Sequence, residues 1–202
     1  MDTLVTVLQW INDAVIEEFL ATSPSKKSSN SDTLSKKLLL QRPFEPKKSL
    51  RERDEMIVSL LNSAGHENVS YCICDPSLPD CPIIFASDGF CTLTGYTFHE
   101  IEGQNCRFLQ GRETKNDDIQ KIRMAIKNEQ ESSVNLLNYK KDGTPFNNQF
   151  FIMPMYDEVQ DSDGGNKKVL QYFAGIQCSV QKLGPGQCPQ NVGWIYTSGL
   201  HA

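Results

Sequence analysis

Two stretches, 132–140 and 145–156, alternate apolar and polar residues around the break Lys141-Asp142-Gly143-Thr144. A period of two marks a strand with one buried face, and a short Gly-containing break between two such strands makes a β-hairpin. A third strand follows near 168–179, so the C-terminal half must fold as an antiparallel meander. Two earlier strands are expected over Tyr71 to Cys74, closed by Asp75-Pro76, and over Ile83 to Ala86. Helices separate the two groups: one after Ser87-Asp88, one behind a Thr97/Glu100 capping box, and a longer one over Asn116 to Asn128. Strands, then helices, then a meander is an α+β arrangement.

Four zones follow from this pattern. Residues 1–48 combine an amphipathic helix over 3–20, built on Leu4, Leu8, Ile11, Val15 and Phe19, with a Ser- and Lys-rich linker from Thr22 to Lys48. Residues 49–68 form a helical cap, 69–180 the core domain, and 181–202 an irregular tail containing Gly184-Pro185-Gly186. The loop from Asp157 to Lys168 is acidic, with Gly164-Gly165 as its turn. The net charge of −5 gives no reason to expect nucleic acid as a partner, and no apolar run is long enough for membrane insertion. Seven cysteines, an odd number with no CxxC pair, read as reduced thiols in the cytoplasm or nucleus and not as a disulfide frame or metal site.

Polar residues on faces that should be buried carry the functional information. With Gly143 at the centre of the hairpin turn, Asn138 faces Asn148, Leu136 faces Phe150, and Val134 faces Ile152, all on one side of the sheet. An unsatisfied buried amide costs about 1–3 kcal/mol. The two amides therefore either bond each other or a water, or they meet a flat heterocycle edge that alternates donor and acceptor. On the long helix, Ile119, Ile122 and Ile126 form an apolar stripe that also carries Arg123. A guanidinium aimed inward needs an anion, for which phosphate is a common choice, unless it snorkels or pairs with a carboxylate. Cys106 stands between Asn105 and Arg107. It is either an inert core thiol or one whose pKa the neighbouring cations lower.

Gly103 to Gly111, GQNCRFLQG, resembles the signature of LOV (light-oxygen-voltage) domains, the flavin-binding photosensory branch of the PAS superfamily. Pro82 to Asp88, Leu93-Thr94-Gly95-Tyr96, Leu137-Asn138-Tyr139 and Tyr172 to Gln177 extend the resemblance in family order over roughly 69–180. It is strongest to the phototropin and aureochrome type of plants and algae. The implied fold is the PAS fold, a five-stranded antiparallel sheet with helices on one face, here with an N-terminal helical extension. The implied cofactor is FMN; FAD is disfavoured because nothing is inserted between Gln110 and the long helix. Cys106 matches the thiol that forms a light-driven covalent adduct with the flavin, without turnover. Asn105 and Gln110 match pocket amides, Arg107 and Arg123 the phosphate grip, and Asn138 and Asn148 the residues on the pyrimidine edge. Gln177 matches the amide that senses protonation of flavin nitrogen 5. Phe90, Leu109, Phe150 and Phe173 match apolar walls, and Ile122, Ile152 and Cys74 complete the cofactor-binding set.

The sequence departs from that pattern at Cys74, where relatives often carry Thr, at Cys81, where they often carry Asn, and at Asn147, where Trp is frequent. The function implied is a blue-light photoreceptor, not an enzyme. Its adduct would be relayed by Gln177 to the sheet surface and the N-terminal helices, regulating association as a homodimer or with a light-dependent protein partner. A flavin-dependent redox enzyme and a light-independent PAS ligand-binding module are the alternatives. No kinase, zinc-finger or basic-zipper signature is present in the chain.

Overall fold

The computed structural model describes residues 43–63, 69–161 and 164–179; the helix expected over 3–20 and the tail expected over 181–202 lie outside them. The elements are α1 (Glu52–Ser63), β1 (Ser70–Cys74), β2 (Ile83–Ala86), α2 (Asp88–Thr94), α3 (Phe98–Ile101), a 3₁₀ turn (Cys106–Leu109), α4 (Asn116–Lys127), β3 (Ser132–Tyr139), β4 (Pro145–Gln160) and β5 (Asn166–Ser179). The five strands form one antiparallel sheet in the order β2-β1-β5-β4-β3. No described helix is long and apolar enough to cross a membrane.

Alternation along the central strands divides the core into two compartments. Tyr71 and Ile73 of β1, Phe151, Met153 and Met155 of β4, and Tyr172, Ala174 and Ile176 of β5 pack on the outer face. Cys72 and Cys74, Phe150 and Ile152, and Phe173 occupy the inner face with Phe90, Leu109 and Ala125 from the helical side. All five residues of β1 are buried, so the strand is covered from both sides. Two short motifs fix the helices between them. Ser87 caps α2 by accepting from Phe90 N and also ties β1 to β2, and Thr97 and Glu100 form the expected capping box of α3.

The outer face is covered by α1 and the segment before it. Ile57, Val58 and Leu61 face the sheet, joined by Phe44 and Leu50. At the start of α1, Asp54 is fully buried; it accepts from Arg51 Nε at 2.7 Å and from Tyr156 N at 2.8 Å, while Arg51 N donates to Tyr156 O at 2.8 Å. These bonds engage β4 beyond Ile152, where β3 pairing has ended.

Four expectations need correction. The hairpin turn closes around Lys140–Thr144 and not Gly143: Lys140 N donates to Thr144 O and Gly143 N to Lys140 O. The register therefore slides by two, placing Asn138 opposite Phe146, Leu136 opposite Asn148, Val134 opposite Phe150, and Ser132 opposite Ile152. A two-residue slip preserves the faces, because side-chain direction repeats every two residues. Residues 43–48, expected as part of a flexible linker, pack against the domain. Phe44 sits edge-on to Tyr172 and beside Phe85, and Tyr172 Oη accepts from the main chains of Lys47 and Lys48. The segment expected as a loop over 157–168 is largely strand, paired out to Gln160 opposite Asn166. Arg123 does not point inward: it is exposed, and the buried residue of α4 is Ala125.

Candidate functional site

One pocket lies between the inner face of the sheet, the 3₁₀ turn and α4. It brings together Cys74, Asn105, Cys106, Arg107, Leu109, Gln110, Ile122, Asn138, Asn148, Phe150, Ile152, Phe173 and Gln177 of the expected site. Two expected residues lie elsewhere. Arg123 is on the exposed side of α4, and Phe90 is fully buried in α2, behind the pocket lining. The pocket also contains Cys72, Cys81, Ile126, Leu136 and Gly175. Cys72 and Gly175 were recoverable from alternation, since each lies two residues from an expected site residue on the same face.

The thiol-bearing turn is built locally. Asn105 caps it by accepting from Arg107 N at 3.1 Å, while its amide nitrogen donates to Asp80 O at 2.6 Å. Ile83 N donates to Gln104 O and Gly103 N to Ile83 O, which stitches the approach to the turn onto β2. Arg107 forms a bidentate pair with Asp80, Nη1 to the two carboxylate oxygens at 2.7 and 2.6 Å, in an exposed position at the pocket edge. After the turn, Gly111 N donates to Thr114 Oγ1, and that hydroxyl donates to Leu137 O at 2.6 Å. The short connection to α4 is thereby held against β3.

Three sulfurs meet at the inner face. Cys106 Sγ is 3.6 Å from Cys72 Sγ and 3.5 Å from Cys74 Sγ. Gln177 Nε2 donates to Cys72 Sγ at 3.6 Å, and Gln177 Oε1 accepts from Ser70 Oγ at 3.2 Å. Hydrogen bonding with Cys72, reinforced by burial, holds the Cys106 thiol well above its usual pKa. The expectation that cationic neighbours would lower it is thus reversed, because Arg107 is turned toward Asp80. Hydrogen bonds from Cys106 and then Cys74 instead hold Cys72 well below the usual thiol value.

The amide pair carries the recognition chemistry. Asn138 and Asn148 are both buried, and Asn148 Nδ2 donates to Asn138 Oδ1 at 2.8 Å across the diagonal of the hairpin. Asn148 Oδ1 is buried with no hydrogen-bond partner. Native interiors rarely leave such an oxygen unpaired. Together with the Asn138 amide nitrogen, it presents an acceptor and a donor to the same cavity. Gly175 completes the floor: a Cβ there would lie 2.8 Å from the Phe150 ring and 3.3 Å from Cys72 Sγ. This surface can take a flat group with an alternating hydrogen-bond edge, placed beside a thiol.

Comparison with known proteins agrees with this geometry. The PAS domain family model matches residues 68–170. Phototropin-2 of Oryza sativa subsp. japonica is 45% identical over 128 residues, covering 63% of this chain and 13% of that protein. The blue-light-activated histidine kinase 1 of Erythrobacter litoralis is 42% identical over 123 residues, 61% of this chain and 32% of that protein. The chain thus spans no more than a third of these curated relatives. A solved structure from work on a flavin analogue and the light-oxygen-voltage domain mechanism is 41% identical, with a TM-score of 0.52, covering 63% of this chain and 86% of the other.

Proposed function

Because this chain belongs to the PAS domain family, in its light-oxygen-voltage branch, we propose that it is a blue-light photoreceptor with FMN in the pocket and Cys106 as its photoreactive thiol. The observation that carries this reading is the buried, unpartnered Asn148 Oδ1 beside the Asn138 amide, facing the same cavity as Cys106. A bound flavin would supply the blue-light absorption and the electrophilic carbon for which the Cys106 thiol is held in place. Asn138 and Asn148 orient the ring by its polar edge. Leu109, Ile122, Phe150, Ile152 and Phe173 exclude water from it, while Asn105 and Gln110 line the thiol side. Arg107, here paired with Asp80, and Arg123, on the exposed side of α4, are the residues that would hold the phosphate. The connection Gly111–Lys115, pinned through Thr114 to β3, leaves no inserted segment to hold an adenine. FMN is favoured over FAD for that reason.

Gln177 is the relay. Its amide spans Ser70 on one side and Cys72 on the other, so a change in the donor character of the ring edge requires the amide to turn. Such a swap is worth about 1–3 kcal/mol, enough to bias a two-state contact. Its chain neighbour Ile176 packs on the outer face beneath the α1 layer. The chain therefore acts as a regulator, not a turnover enzyme: light loosens α1 and the segment before it, changing self-association or the binding of a protein partner. Deletion of residues 1–48 is expected to alter oligomeric state or its light response, and identical sedimentation in darkness and light would count against that output.

The primary test is the absorption spectrum of the purified chain in darkness, after a blue flash, and during recovery. A structured blue band that bleaches and returns in the wild type, but not in Cys106→Ala, supports the reading. A flavin spectrum that light leaves unchanged overturns it.

A further inference from the structure

The Cys106 thiol shares its surroundings with two other thiols that the proposed photochemistry does not use. Cys72 and Cys74 alternate onto the inner face of β1, and the three sulfurs all lie within 4.8 Å of one another. A core position on a central strand asks only for a small apolar side chain, which alanine or valine supplies without redox chemistry. Contact at 3.6 Å between Cys72 and Cys106 leaves about 1.5 Å of approach to a disulfide of about 2.05 Å. That is within the reach of a side-chain rotation on the short 3₁₀ turn.

We propose that Cys72 and Cys106 form a reversible disulfide that switches the light response off under oxidising conditions. This rests on the photoreceptor reading, because its consequence is the removal of the thiol that reading requires. The oxidant is a peroxide, small enough to reach the sulfur pair past the half-buried Cys106 side of the turn without displacing the flavin. Cys72 is the attacking sulfur, since the Gln177 amide donates to it and the Cys106 thiol lies in hydrogen-bond contact with it, and both favour its thiolate. Attack on hydrogen peroxide breaks the O–O bond, leaving a sulfenic acid on Cys72 and releasing one water after protonation. The Cys106 sulfur then displaces the sulfenic hydroxyl, which leaves with the Cys106 proton as a second water. Two thiols give up two electrons and two protons, and one peroxide becomes two waters. A dithiol reductant reverses the bond by exchange.

The test uses the full flavin-loaded chain, reduced, freed of metal with a chelator, and titrated with hydrogen peroxide in darkness. Free thiols are alkylated under denaturing conditions before digestion. Cleavage after Glu102 and Arg107 leaves Cys106 alone in the five-residue peptide Gly103–Arg107, so its cross-links can be assigned by mass. The linked peptide should appear in the wild type and in Cys74→Ala, vanish in Cys72→Ala, Cys72→Val and Cys106→Ala, and disappear on reduction. The fraction of the blue band that bleaches should fall in step with the cross-linked fraction and return with dithiothreitol. Survival of the cross-link in both Cys72 variants overturns the proposal, as does its absence when Cys106 is already sulfinic acid. A reduced wild type that cross-links on oxidation but never bleaches sinks the photoreceptor reading and leaves the disulfide standing.

Discussion

Replacing Asp54 with alanine should detach the start of α1 from β4. In the folded chain this buried carboxylate takes a charged hydrogen bond from Arg51 at 2.7 Å and a main-chain bond from Tyr156 at 2.8 Å. The alanine leaves Arg51, whose side chain is only 12% exposed, without its counter-ion, and Tyr156 N without an acceptor. Breaking a buried pair by removing one partner costs about 3–5 kcal/mol. Partial exposure of the arginine places the loss here at the lower end, about 3 kcal/mol. For a chain of this size that corresponds to a fall in Tm of roughly 6–12 °C. If the loss is local, amide exchange at Tyr156 and along Ile57–Leu61 should accelerate by about 100-fold while β1 and β5 stay protected. Thermal unfolding followed by circular dichroism, with site-resolved hydrogen exchange in darkness, measures both. Asp54→Asn, which keeps an acceptor but loses the charge, should fall between. A Tm within about 1 °C of wild type, with unchanged exchange at Tyr156, would refute the assignment of Asp54 as the clasp between α1 and the sheet.

Three other outcomes are expected. Asn148→Leu removes the unpartnered Oδ1 together with the Nδ2 that donates to buried Asn138 Oδ1, so the flavin-free protein should lose about 1–3 kcal/mol while FMN affinity falls by about 10–100-fold; thermal melts and fluorescence titration measure the two. Gly175→Ala drives a Cβ to 2.8 Å from the Phe150 ring, and the resulting overpacking should cost about 1–3 kcal/mol in urea unfolding. Burial alone would raise the Asp75 carboxyl, but hydrogen bonds from Lys48 and Ser77 hold it below its usual value. Its stabilising contribution is therefore present above the ordinary aspartate pKa and lost as pH falls below it through the depressed folded value. Protease cleavage near Lys47 and Lys48 should rise in that acid window in the wild type, and should already be elevated at neutral pH in Asp75→Asn.

Much of this arrangement was legible in the sequence, for identifiable reasons. Alternation assigns Asn138, Asn148 and Phe150 to one face whichever way the turn closes, so the site survived a register that slid by two. The pairing itself depends on which residues close the loop, and Lys140 to Thr144 offer more than one closure. Phe44 was missed because a single aromatic in a polar run has no period; its partners Phe85 and Tyr172 come from distant strands. Arg123 was misjudged because an apolar stripe on a short helix is wider than the part that reaches the core, and Ile126 on that stripe is itself 37% exposed. The state of Cys106 was unreadable for a different reason. Its pKa is set by Cys72 and Cys74 across a strand-to-turn contact, while its neighbour in sequence, Arg107, faces Asp80.

The sheet has a helix-covered surface on each side, and β1 shows water neither of them. It behaves as a thin bulkhead between two rooms, one residue thick at every strand. A strain raised against the β1 wall meets packed side chains on both faces, so part of it is taken up by the contents of the other room. The part of the far lining that is not itself sheet is the segment from Phe44 to α1, so a shift carried through the wall reaches it first. A module joined ahead of Phe44 would sit at that point. A module appended after β5 would hang from the strand that carries Gln177, gripped on both edges by β1 and β4.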